Sequence, residues 1–105
     1  MPRILLDQNM PVGLRAVLAE HDVTTAYEMG WGGLGNGELL AAVEAADFDV
    51  MITGDTNLKY QQNLTGRRLA IVVLDTNHWS TIRAQQDSVV EAVKAWRVGG
   101  YAEVR

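Results

Sequence analysis

The sequence predicts an α/β domain: a mainly parallel sheet of four or five strands, order 2-1-3-4-5, with helices on both faces. Three observations carry this. Short apolar runs alternate with helix-period segments along all 105 residues. The run Leu69 to Leu74 is uniformly apolar, as a strand covered on both faces must be. Asp7 and Gly54-Asp55 close two of the other runs, at the points where a strand hands over to a turn or helix.

In chain order, Arg3 to Leu6 reads as a short buried strand ending at Asp7. Asn9 is placed to cap a helix whose first turn accommodates Pro11, with Leu14, Val17 and Leu18 as its apolar stripe. Asp22 to Tyr27 is the second strand, by its β-branched Val23-Thr24-Thr25 centre. The glycine-rich loop Gly30 to Gly37 follows, and Asn36 reads as the cap of a helix carrying Glu38, Leu39, Leu40, Val43 and Ala46. Phe48 to Thr53 is the third strand. A short polar helix from about Thr56 to Asn63 then leads to a Thr65-Gly66 turn, and Leu69 to Leu74 is the fourth strand. Ser80 caps one long helix to Trp96, with Ile82, Val89, Val93 and Trp96 on one face. Gly99-Gly100 stops it, and Tyr101 to Val104 adds an edge strand.

Composition narrows the function classes. With 48% hydrophobic and 21% charged residues, the chain has the balance of a globular fold, and residues 1–105 fit one domain. The absence of cysteine excludes a disulfide scaffold, a thiolate zinc site and a cysteine nucleophile. No apolar run is long enough to span a bilayer and the first residues do not read as a signal peptide, so a cytoplasmic protein with no membrane partner is expected. Nine Lys and Arg against thirteen Asp and Glu give a net charge of −4, with only Arg67-Arg68 adjacent. Bulk electrostatic gripping of nucleic acid is therefore not expected, and any contact with RNA is local or helped by metal ions or a second subunit.

In a parallel sheet the strand ends share one rim, and ligands bind there at the topological switch point. Asp7, Asp55 and Asp75 follow strands one, three and four, and Glu38 lies in the first turn of the second helix. Carboxylates brought together repel, and a hard divalent cation with oxygen ligands relieves that repulsion. Each acid alone also reads as a cap or turn residue, Asp75 and Glu38 most readily. The glycine loop has neither a dinucleotide fingerprint nor a Walker lysine. Trp31 within it reads either as a base-stacking platform or as a ring folded onto the core or an interface. His21 and His78 have no partner spacing.

The segments Ile4-Leu5-Leu6-Asp7-Gln8-Asn9-Met10-Pro11, Asn36-Gly37-Glu38-Leu39 and Met51-Ile52-Thr53-Gly54-Asp55-Thr56-Asn57-Leu58, with the glycine loop between the first two, resemble the short PIN-like domains of unknown function. Those domains are similar to the PIN ribonucleases of bacterial toxin–antitoxin modules. The resemblance implies a three-layer PIN-like fold and cleavage of RNA dependent on Mg²⁺ or Mn²⁺. Asp7, Glu38 and Asp55 match the acidic positions and would be catalytic and hold the metal, with Asn57 and Asp75 as further ligands directly or through water. Asn9 matches the family asparagine and, with Lys59, Arg67 and Arg68 as the cations nearest Asp55 in sequence, would contact substrate. Three positions depart from the family pattern: Gln8 replaces Glu, Asn36 replaces Asp, and Asn57-Leu58 replaces Asp-Phe. Each exchanges a carboxylate for an amide, which points to a weakened site.

Two other readings compete. A non-catalytic binding module of the same fold would pair with a small antitoxin-like protein or bind nucleic acid without cutting it; three tryptophans and the glycine-rich Trp31 loop also point to association, as a homodimer or with such a protein. A receiver-type phosphoacceptor shares the strand order, but the acid pair after strand one is only Asp7 with Gln8. No lysine lies between Lys59 and Lys94 to bind a phosphoryl group.

Overall fold

Five parallel strands in the order 2-1-3-4-5 form one sheet. The computed structural model describes residues 2–61, 64 and 66–104. The strands are β1 (Arg3–Leu6), β2 (Asp22–Thr25), β3 (Val50–Thr53), β4 (Ala70–Leu74) and β5 (Tyr101–Val104). Between them run α1 (Leu14–Val17), α2 (Asn36–Ala45), α3 (Leu58–Gln61), α4 (Trp79–Ala84) and α5 (Gln86–Lys94). The register aligns Leu5 with Thr24 on one side and Met51 on the other, then Met51 with Ile71 and Ile71 with Tyr101.

The period-two alternation of the strands divides the core. Ile4, Leu6, Val50, Ile52, Val72 and Leu74 point to one face, against Leu14, Leu18, Ile82, Val89 and Val93. Leu5, Met51, Ile71 and Val73 point to the other, against Leu39, Leu40, Val43 and Leu58. Helices α1, α4 and α5 thus cover one face, and α2 and α3 the other. Every residue of β3 and β4 is buried, as central parallel strands require. The edge strands β2 and β5 are only partly buried. Among the described residues no helix is long and apolar enough to cross a membrane.

The element boundaries correct several expectations. Asn9 does not cap α1: the chain from Pro11 climbs through i→i+3 bonds (Leu14 N–H to Pro11 O, Arg15 N–H to Val12 O), and Gly13 occupies the cap position. Asn36 is the first residue of α2 rather than its cap, which is Gly35. Ser80 lies inside α4, capped by His78. The single long helix is two, broken at Gln85 with φ −108° and ψ 18°. Residues 83–87 bear no side chain larger than Ala84 that is apolar, so nothing ties that turn to the sheet, and Gln85 N–H closes onto Ile82 O. Strands two and three are shorter than expected, ending at Thr25 and beginning at Val50. The expected end of the polar helix at Asn63 and the turn residue Thr65 lie outside the described residues.

Helix α2 ends in a Schellman motif. Phe48 N–H bonds Val43 O and Asp47 N–H bonds Glu44 O, with Asp47 in the left-handed region at φ 63°.

Candidate functional site

The backbone places Asp7 one step beyond β1, where its N–H still extends the ladder to Ile52 O at 2.9 Å. Because side chains alternate, Asp7 faces the same side as Leu5, the side covered by α2. Thr53, the last residue of β3, faces that side too. Its hydroxyl donates to Asp7 Oδ2 at 2.8 Å, and Gln8 N–H donates to Asp7 Oδ1 at 2.8 Å. Thr53 is 1% exposed, so this hydroxyl is a fixed internal group.

The same Thr53 oxygen accepts the N–H of Asp55 at 3.2 Å. Asp55 Oδ1 then accepts Asn57 N–H at 2.9 Å, a local turn closed by a side chain. Its Oδ2 accepts Asn36 Nδ2 at 2.8 Å from the first turn of α2. Asp7, Thr53, Asp55 and Asn36 therefore form one network across the ends of β1 and β3, at the switch point of the sheet. Gly54 permits the close approach of the neighbouring loop: a Cβ there would stand 2.7 Å from Met10 Cε and 3.6 Å from Asn9 Nδ2.

Both carboxylates are held by neutral donors. Neither takes part in an ion pair among the described residues. Glu38 stays outside the network; its Oε1 curls over Gly35, 3.6 Å from where a Cβ would stand. Asn57 contributes its backbone N–H, and its side chain is exposed. Asp75 lies at the end of β4, exposed, its N–H paired with Val104 O at 3.2 Å. Among the described residues no three Asp, Glu, His or Cys side chains gather into a metal-holding group.

Of the three cations expected near Asp55, Arg67 and Lys59 are paired elsewhere and Arg68 lies on the opposite rim. Arg67 Nη1 pairs with Glu44 Oε1 at 2.5 Å, and Arg68 N–H bonds Glu44 Oε2 at 3.2 Å. Glu44 lies near the end of α2 and Arg68 just before β4, so this pair is at the amino-terminal rim, opposite Asp55. Nearness in sequence misled here, because the segment after β3 returns the chain to the start of the next parallel strand. Lys59 Nζ pairs with Glu103 Oε1 of β5 at 3.3 Å and lies 5.2 and 5.6 Å from the rings of Tyr60 and Tyr101. The Glu103 carboxylate, accepting its hydrogen bond, raises the Lys59 pKa above the ordinary lysine value.

Thr53 and Asn36 are the two members that sequence reasoning did not assign to the site. The signal was present in Thr53-Gly54-Asp55, a hydroxyl two residues before an acid at a strand end. Asn36 reads as a helix cap and as an amide in place of the family Asp, and neither reading supplies its bond to Asp55. A depression of about 170 Å³ adjoins the network, lined by Asp7, Gln8, Asn9, Trp31, Asn36 and Leu39 among others. Trp31 is half-buried and meets Phe48 edge to face, ring centroids 6.2 Å apart. Comparison with known protein families, with curated proteins and with solved structures finds no match to this chain. What the chain carries is the fold: five parallel strands in the order 2-1-3-4-5, alternating with helices.

Proposed function

We propose that this protein is a PIN-like, divalent-metal-dependent ribonuclease, the toxin-like component of a toxin–antitoxin pair. One observation carries the reading: Asp7 and Asp55 are tied together through Thr53 at the switch point of the sheet, with no cation paired to either among the described residues. Structural carboxylates commonly pair with Arg or Lys; these are oriented by a hydroxyl, an amide and backbone N–H groups instead. Such a donor set is all oxygen and carries negative charge, which suits a hard cation such as Mg²⁺ or Mn²⁺.

Asp7 and Asp55 would hold the ion, with Glu38, Asn57 and Asp75 contributing through water. When bound, the ion supplies Lewis-acid charge and lowers the pKa of water toward neutrality. The rest falls to the chain. Thr53 keeps Asp7 Oδ2 in place, Asn36 keeps Asp55 Oδ2 in place, and the two acids orient water in line with the scissile phosphodiester. Asn9, exposed beside Gly54, contacts the RNA. With Arg67 and Arg68 on the opposite rim, the backbone of the RNA is not steered by them.

The test is Mn²⁺ titration by calorimetry on the wild type and Asp7→Asn, beside cleavage of single-stranded RNA. The wild type binds Mn²⁺ and cleaves; Asp7→Asn does neither. Cleavage that persists in Asp7→Asn with chelator belongs to a contaminant. A second reading, a non-catalytic module that binds an antitoxin-like protein or a second copy of itself, is favoured by the absence of a third carboxylate from the network among the described residues. It takes over if the wild type binds no metal and cuts nothing while such a partner still binds.

A further inference from the structure

The depression beside Asp7 has a chemistry of its own. Its volume of about 170 Å³ is well below the roughly 300–1,000 Å³ of sites for drug-sized ligands. It suits one flat ring system. Its lining combines the aromatic Trp31, the apolar Leu34 and Leu39, the amide-bearing Gln8, Asn9 and Asn36, and the carboxylate of Asp7. Gln8 and Asn36 are two of the three positions where this sequence carries an amide in place of an acid of the family pattern it resembles. An amide offers a donor and an acceptor side by side, the pairing that reads the edge of a nucleobase, whereas a carboxylate offers acceptors alone. Gly32 leaves room for the Gln8 amide: a Cβ there would stand 2.4 Å from Gln8 Oε1.

We infer that this depression is a nucleobase subsite, in which one base of a single-stranded nucleic acid stacks on Trp31 and is read by the amides of Gln8 and Asn9. The inference rests on the ribonuclease reading for the placement of the adjoining phosphate near Asp7. Stacking on Trp31 would supply affinity without drawing on charge, which suits a chain of net charge −4. Base choice is then set by amides that the fold does not use as helix caps.

The experiment measures binding of four fluorescent homopolymeric oligoribonucleotides in EDTA, then maps cleavage sites with Mn²⁺. The wild type favours one base over the others by about tenfold. Gly32→Ala pushes only the flexible end of Gln8, so the fold persists; it and Gln8→Ala level that preference to within about twofold. Trp31→Phe retains binding and Trp31→Ala loses about tenfold or more; circular dichroism separates that loss from unfolding. Equal affinity for all four oligonucleotides, no binding at all, or a preference unmoved by Gly32→Ala and Gln8→Ala overturns the subsite. A preference that behaves as described, in a protein that neither binds Mn²⁺ nor cleaves, upholds the subsite and overturns the nuclease.

Discussion

The hydroxyl of Thr53 donates to Asp7 Oδ2 at 2.8 Å across a sequence separation of 46 residues. This one bond locks the end of β1 to the end of β3, and because the same oxygen receives Asp55 N–H, the two acids cannot be oriented independently. Thr53→Val keeps the shape and removes the hydroxyl, leaving the part-buried Asp55 N–H without its acceptor and Asp7 Oδ2 without its donor. A loss of about 1–3 kcal/mol in urea unfolding is expected. Mn²⁺ affinity by calorimetry should fall about 10–100-fold, the usual effect of removing a group that orients a ligand. Thr53→Ser retains most of both. Equal metal affinity in Thr53→Val and wild type would show that Thr53 does not position Asp7.

Asn36→Asp replaces a neutral donor by a second carboxylate, 2.8 Å from Asp55 Oδ2. Without metal the two charges repel, and the midpoint of thermal unfolding should fall by an amount equivalent to roughly 1 kcal/mol. With saturating Mn²⁺ the order reverses and the variant binds metal more tightly than wild type. Thermal melts with and without Mn²⁺ decide it; a variant destabilised equally in both contradicts the ion-binding reading.

Glu28 supplies a pH dependence whose sign can be worked out. Its carboxylate accepts Thr25 N–H at 3.0 Å, then the Thr25 hydroxyl at 3.2 Å, and it pairs with Arg15. Thr25 N–H is the leading cause that holds its pKa below the ordinary 4.5. A depressed acid stabilises the fold above its unfolded pKa and loses that contribution as pH falls through the folded value. The wild type should therefore exceed Glu28→Gln in thermal midpoint at pH 6, with the advantage shrinking below pH 4.5. A constant difference across that range would contradict the assignment.

Asp47 closes α2 in a conformation that suits glycine, at φ 63°. Its N–H bond to Glu44 O is a backbone bond and survives substitution. Asp47→Gly relieves the Cβ penalty and should stabilise the protein by about 1 kcal/mol in urea unfolding, without changing metal affinity. Destabilisation would mean that the Asp47 side chain contributes more than its backbone conformation costs.

The sheet was legible in the sequence because alternation and burial are written residue by residue. Leu5 and Met51 fall on one side and Ile4 and Ile52 on the other, whatever the loops do. The helix ends were not legible, because the capping rule assumes a side-chain oxygen. At Gly13, Gly35, His78 and Gln85 no side chain makes a cap bond. Asn36, the obvious cap, spends its amide on Asp55 across a tertiary contact that no local pattern records. The acids at the rim could be placed from topology alone. Arg67 could not, since its partner Glu44 is brought to it only by the return path of the chain.

Strand β5 shields more than its own side chains. It covers the outer edge of β4, whose Ala-Ile-Val-Val-Leu run is wholly buried and free of charge. Until residues 101–104 dock, during synthesis or after a protease cut at Gly99-Gly100, β4 presents bare N–H and C=O groups along an aggregation-prone segment. Glu103, tied to Lys59, sets a charge on the protecting strand in the manner of a gatekeeper. Whenever β5 is undocked, that edge of β4 is a template for fibre growth.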